Sequence, residues 1–234
     1  MLKELKRDRQ LTLKNVNKDQ LLSKQVFSVI KPIGYSSNDI VQIIKKQFGF
    51  KKVGHGGTLD PLASGVLVIG IENGTKQLTH HLSDHKSYDV LIKLGEYTNS
   101  YDLATEITKI AKIPNLTLDD IKNTIDNCFI KKDYYQTAPN YSAKKINGIR
   151  AYELARNNQL INLKPNLVKI NSFKVNDYDE VNHIINISLN VSKGFYIRSF
   201  GVDLAKELKT LGVIISLIRT TVNEFNINNS YKFE

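Results

Sequence analysis

Apolar and polar positions along the chain mark out short strands and amphipathic helices. Phe27-Ser-Val-Ile-Lys31 predicts a strand that ends at the turn Pro32-Ile-Gly34, after which Ser36, Ser37 or Asn38 caps a helix. In that helix Ile40, Val41, Ile44 and Phe48 recur at three- and four-residue spacing, and Gly49 stops it. Val66 to Ile71 is a continuous apolar run of the buried-strand type, and Thr75 to Ser83 predicts a short helix. Tyr88, Val90, Ile92 and Leu94 alternate, so they share one face of a strand. Thr117-Leu-Asp-Asp120 predicts a capping box that opens a helix with Leu118, Ile121 and Ile125 inward. The stretch from Asp133 to Arg150 is polar, basic and irregular, and Ala151 to Arg156 resumes as helix. Further strands are expected over Leu167 to Val175 and around Ile185, Ile187, Leu189 and Val191. A helix with Phe200, Leu204 and Leu208 in register follows, then a last strand from Val213 to Val222. With no internal repeat and no long linker, this order predicts one α+β domain around a mixed sheet, occupying 27–234.

Residues 1–26 break the pattern. They carry Lys3, Lys6, Arg7, Arg9, Lys14, Lys18 and Lys24 against Glu4, Asp8 and Asp19, with leucines at no clean period, and predict a basic N-terminal arm that is partly helical or mobile. The whole chain holds 33 Lys plus Arg against 23 Asp plus Glu, a formal net charge of +10, which favours a polyanionic partner such as nucleic acid. Coding bias in an AT-rich genome produces the same Lys, Asn and Ile excess, so charge does not decide the matter. No run approaches the roughly 18 apolar residues of a membrane helix. The start lacks the apolar centre of a secretory signal, and a cytoplasmic location with no membrane contact is expected. One cysteine, Cys128, permits no internal disulfide, and with five scattered histidines it offers no zinc-ligand spacing.

Candidate chemistry is concentrated in one loop. Six of the thirteen glycines fall between Gly54 and Gly74, around Thr58-Leu-Asp60-Pro-Leu. Pro61 biases Asp60 away from helical angles, and the flanking glycines let a ligand or another backbone come close. The chain has no phosphate-binding Gly-x-x-x-x-Gly-Lys-Ser/Thr, no Gly-x-Gly-x-x-Gly after a strand and no His-Glu-x-x-His. Nucleotide, dinucleotide and zinc-protease chemistries lose support, and a carboxylate held on a tight loop remains.

Four segments, in order, extend that loop into a constellation. They are Gly54-His55-Gly-Gly-Thr-Leu-Asp60-Pro-Leu-Ala-Ser-Gly65-Val-Leu; Lys86-Ser-Tyr88 with Leu94-Gly95 and Thr98; Ala138-Pro-Asn-Tyr-Ser-Ala-Lys144; and Val191-Ser-Lys-Gly-Phe-Tyr196-Ile-Arg198. Together with Lys31-Pro32 and Gly34-x-Ser36-Ser37 they resemble the TruB-type tRNA pseudouridine synthases from about Phe27 to Phe225. The resemblance implies a largely antiparallel sheet flanked by helices and loops. It implies isomerisation of a uridine in the T-arm loop of tRNA, with the C1′–N1 bond broken and a C1′–C5 bond formed, and no metal, nucleotide or redox cofactor. The partner is tRNA, bound by a monomer with no obligatory protein partner.

Site residues are carried over position by position. Asp60 matches the family's catalytic aspartate, which acts as nucleophile on the ribose or the base or assists departure and recapture of the base. Arg198 matches the arginine that pairs with and aims that carboxylate. Tyr88 matches the tyrosine stacked on the flipped base; by itself its place in the alternation is that of a core aromatic. Tyr196 and Leu217 match residues lining the same pocket, and His55 matches the histidine inserted where the base leaves the stack. Lys31, Lys144, Lys145, Arg150 and Lys193, with Lys51 and Lys52, are candidate phosphate contacts. Only nine residues follow Phe225, so the small C-terminal RNA-binding domain of many relatives is not expected. Two other readings stand beside an enzyme on tRNA: a guide-dependent enzyme on ribosomal RNA, and a catalytically silent tRNA-folding chaperone.

Overall fold

The computed structural model describes residues 11–79, 85–142 and 163–234, with the backbone of 145–146 and 149–150. Along the chain run α1 (Lys18–Lys24), β1 (Val26–Lys31), α2 (Ser37–Phe48), β2 (Val53–Gly56), β3 (Ser64–Ile71) and β4 (Lys86–Leu94). Then come β5 (Glu96–Thr98), β6 (Ile107–Ile110), α3 (Leu118–Ile125), β7 (Tyr134–Gln136), β8 (Lys145–Ile146), β9 (Ile149–Arg150) and β10 (Asn166–Val168). The chain ends with β11 (Ile170–Asp179), β12 (Ile184–Val191), α4 (Ile197–Glu207), β13 (Gly212–Val222) and β14 (Phe225–Asn226). It forms two compact units, Met1–Tyr88 with Leu217–Glu234, and Asp89–Ser216; β4 and β13 contribute residues to both.

In the first unit β3 is flanked by β1, antiparallel from Val26↔Gly70 to Lys31↔Gly65, and by β2, antiparallel from Val53↔Ile71 to Gly56↔Val68. The C-terminal half of β13 runs parallel to β3, pairing Ile218 with Ser64 and Arg219 with Gly65. Leu67, Ile69 and Ile71 point into a core shared with Ile40, Val41 and Ile44 of α2, and Val66 and Val68 point into a second cluster with Leu78 and Val222. A strand covered on both faces reads as an unbroken apolar run, which is why Val66 to Ile71 shows no alternation.

Ser36 is the cap of α2: its hydroxyl accepts from the Asp39 N–H (3.1 Å), and the Asp39 carboxylate accepts from the Ser36 N–H (2.8 Å). Gly49 closes the helix at φ 65°. The helix expected over Thr75 to Ser83 is instead a 3₁₀ turn at Glu72–Lys76, and 80–84 lie outside the described residues. At its first residue the Glu72 carboxylate accepts the Lys51 N–H (2.7 Å), directly after β3. The N-terminal boundary also differs from the expected arm. Leu21 is fully buried and Leu13 nearly so; Gln47 accepts from the Leu13 N–H and donates to its carbonyl, both at 2.8 Å, and Leu13 bridges Phe233. Leu13 and Leu21 thus pin residues 11–26 to the first unit's core, and Lys3, Lys6, Arg7 and Arg9 lie outside the described residues.

In the second unit the sheet order is β13–β4–β12–β11, with β11 antiparallel to β12 and bulged twice. Val90, Ile92 and Leu94 are buried as the alternation requires. The strand expected over Leu167 to Val175 is split. Residues 166–168 pair with β7, and β11 begins after Lys169, whose N–H is taken by the Ser192 hydroxyl (2.9 Å). The capping box of α3 has Thr117 and Asp120 in reciprocal hydrogen bonds, with Ile121 and Ile125 buried. The helix predicted over Ala151 to Arg156 falls outside the described residues. The result is the expected α+β architecture with a mixed, largely antiparallel sheet.

Candidate active site

Asp60 lies half-buried on the loop joining β2 to β3, and the first unit fixes that loop from several directions. Leu59 and Ala63, on either side, are buried in the core beside α2. The Ser37 hydroxyl, freed from capping by Ser36, accepts from the Leu59 N–H (2.9 Å) and donates to the Leu59 carbonyl (3.2 Å). The Gly34 N–H donates to the Pro61 carbonyl (2.8 Å), and the Ala63 N–H to that of Asp60 (3.0 Å). Arg219, 1% exposed, donates through Nε to the Val66 carbonyl (2.8 Å), through Nη2 to that of Gly57 (2.9 Å) and through Nη1 to that of Thr58 (3.4 Å). Sequence marked Ser37 only as a candidate helix cap and Gly34 only as a turn residue, and it did not mark Arg219 at all. The arrangement is a carboxylate on a backbone with little freedom, which is what a group must be to act on one bond of a bound substrate.

The same unit holds three more predicted residues. Tyr88 is 7% exposed on the face shared with Val90 and Ile92. Leu217 packs against the cluster that contains Leu59 and Ala63. His55 is half-buried in β2, opposite Ile69. Lys31 does not fit its expected role. Its side chain is fully buried, and Nζ donates to the carbonyls of Pro32 (2.9 Å) and Tyr35 (2.7 Å), so it holds the turn into α2 rather than facing a phosphate.

Arg198 and Tyr196 lie in the second unit. Arg198, 5% exposed in the first turn of α4, donates from Nη1 to the Ser100 carbonyl (2.8 Å) and from Nη2 to the Tyr141 carbonyl (2.9 Å), with Nε 3.9 Å from the Asp102 carboxylate. Asp102 is itself buried; its carboxylate accepts from the Ala104 N–H and its carbonyl from the hydroxyls of Thr98 and Ser100. Tyr196 is the residue before α4, half-buried, with its backbone gripped at both ends by Gln136: the Tyr196 N–H donates to Oε1 (2.7 Å) and its carbonyl accepts from Nε2 (3.0 Å). Gln136 also donates to the Tyr134 hydroxyl (3.0 Å), which donates to the Asp203 carboxylate (2.6 Å). Burial pushes the Asp203 carboxyl above its ordinary range and pushes the Tyr134 hydroxyl up, the nearby Asp203 charge adding to the latter. Asp102 sits in a Thr-Asn-Ser-Tyr turn and Gln136 in a polar stretch, so neither stood out in sequence.

Of the proposed phosphate contacts, Lys193, Lys51 and Lys52 are exposed. Lys144 lies outside the described residues, as do the side chains of Lys145 and Arg150. Among the described residues no cluster of His, Cys, Asp and Glu could hold a metal ion, and no helix is long and apolar enough to cross a membrane.

Comparison with known proteins adds to this geometry. Residues 45–197 match the TruB family pseudouridylate synthase N-terminal domain, a span that contains Asp60, Tyr88 and Tyr196. A tRNA pseudouridine synthase B of Ureaplasma urealyticum serovar 10 is 46% identical over 214 residues, covering 91% of this chain and 92% of its own length. A protein of the same name from Malacoplasma penetrans is 38% identical over 223 residues, 94% of each chain. Among solved structures, one described as a Cbf5-Nop10-Gar1 complex aligns over 94% of this chain with a TM-score of 0.66 at 23% identity, a likeness of fold. This chain spans 60% of that one.

Proposed function

The chain belongs to the TruB family of pseudouridylate synthases, and from that premise we propose that it converts a uridine in the T-arm loop of tRNA into pseudouridine. The reaction is an isomerisation: the C1′–N1 bond breaks, the uracil turns, a C1′–C5 bond forms, the C5 proton leaves and N1 ends protonated. Electrons and atoms balance without a redox partner. The uridine must leave its stack before either bond can be reached, and the gap and the extruded base both need partners.

Asp60 supplies the carboxylate at the reacting centre, Tyr88 the aromatic face for the base, and Arg198 the guanidinium of the reaction. Tyr196 and Leu217 line the base pocket, and His55 fills the vacated place in the RNA. Lys193, with Lys144, Lys145 and Arg150, meets phosphates. A monomer acting in the cytoplasm, without a guide RNA or protein partner, suffices for this reading. The observation that carries it is the loop of Asp60, immobilised by Ser37, Gly34 and Arg219 while the carboxylate itself stays half-buried rather than sealed in the core.

Mapping pseudouridine in unmodified tRNA after incubation with the purified protein tests the proposal. New pseudouridine in the T-arm loop is expected, and its absence would refute it. Asp60→Asn is expected to bind tRNA within about tenfold of wild type and to release no tritium from C5-labelled uridine, because the charge at the reacting centre changes and the phosphate contacts do not. Appreciable release would remove Asp60 from its role.

A further inference from the structure

We propose that Arg219 is a positioning residue for the reaction: its buried guanidinium fastens both legs of the Asp60 loop and so sets where the carboxylate stands. The inference rests on the assignment of Asp60 above and extends it to a residue outside the matched motifs.

The argument begins with an energetic oddity. Removing a charged side chain from water costs several kcal/mol unless it is paired and hydrogen-bonded, and buried arginines usually find a carboxylate. Among the described residues the hydrogen-bond acceptors of Arg219 are backbone carbonyls alone, and all three belong to one short stretch of chain. Gly57 and Thr58 lie on the approach to Asp60; Val66 lies beyond it, already in β3. A planar guanidinium has its donors in a fixed fork, so tying Nη1 and Nη2 to one leg and Nε to the other sets the distance between the legs. A lysine ammonium carries the same charge at a single point and cannot bridge the two.

The backbone of Arg219 is brought in as closely as its side chain. It pairs with Gly65 in the parallel ladder, where Gly65 has φ +106° and a Cβ would stand 2.2 Å from the Arg219 carbonyl oxygen. Only glycine allows that approach. Ser37 and Gly34 hold the loop's middle from the side of α2, and Arg219 holds its two ends from β13. Displacing a reacting group by about 1 Å is enough to cost on the order of a hundredfold in rate.

Arg219→Lys tests the assignment through a split that a merely stabilising residue would not give. The single-turnover rate at saturating tRNA, counted per folded molecule, should fall at least about a hundredfold. The dissociation constant for tRNA should stay within about threefold, since no phosphate contact is removed. A lower melting temperature with an unchanged rate per folded molecule would overturn the proposal. Should the variant be too unstable to assay, the wild-type enzyme labelled with ¹⁵N-arginine decides. The Arg219 Nε–H is expected to exchange with solvent at least about a hundredfold more slowly than surface arginines; exchange at the surface rate overturns the clamp. An inactive wild type on T-arm RNA would instead defeat the proposed function, so the two failures are distinct.

Discussion

Deleting residues 1–24 should unfold the enzyme or bring it close to unfolding. The deletion removes Leu21, which is fully buried, and Leu13, which is 2% exposed, from the core that backs α2. Full burial of a leucine side chain stabilises by about 1.5–3 kcal/mol, so the two together contribute roughly 3–6 kcal/mol before the paired hydrogen bonds of Leu13 with Gln47 are added. Typical domains are stable by only about 5–15 kcal/mol. In a protein of this size each kcal/mol moves the melting temperature by about 2–4 °C, which predicts a drop of roughly 6–24 °C. Calorimetry of the truncated protein beside the full chain measures it. A melting temperature within about 3 °C of the full chain would refute the core assignment of Leu13 and Leu21.

Gly65→Ala should destabilise by at least about 1–3 kcal/mol from its backbone angle alone. It should also lower turnover, because the new methyl group separates β3 from β13; a folded variant of normal rate counts against the tight pairing of Gly65 with Arg219. Tyr88→Phe should preserve tRNA binding and lower the single-turnover rate, and equal rates would confine Tyr88 to packing. Asp203→Asn should gain stability relative to wild type as pH rises from 4 to 7. The wild-type carboxyl, whose folded pKa burial raises above the ordinary 3.8, stabilises the fold less as pH rises from that ordinary value through the raised one, while the amide stays neutral and still accepts from Tyr134. A difference in melting temperature that does not change with pH would contradict this.

Local rules made some of this structure legible in the sequence. The capping boxes of α2 and α3, the buried run Val66 to Ile71 and the alternation from Tyr88 to Leu94 each depend on residues within a turn or a strand of one another. Sequence left Ser36, Ser37 and Asn38 equivalent as caps; the fold separates them, giving Ser36 the helix and Ser37 the Asp60 loop. Asp60 itself was marked by its glycine and proline neighbours. The clamp of Arg219 on its loop was not, because Arg219 meets Val66 across 153 positions, and neither was the grip of Gln136 on Tyr196, across 60. Lys31 was misread for a related reason. Residue type suggests a solvated charge, and only the register that sets Lys31 opposite Gly65 reveals the enclosed turn its ammonium fills.

The parallel pairing of β13 with β3 gives the enzyme a timetable as well as a shape. Val66 leaves the ribosome 153 residues before Arg219, and at about 5–20 residues per second that interval lasts roughly 8–30 s. Throughout it the Asp60 loop is complete in sequence but lacks its fastening, although the nascent chain already carries every motif residue up to Arg198. On the proposed role of Arg219, activity is expected to appear only when the strand bearing it docks.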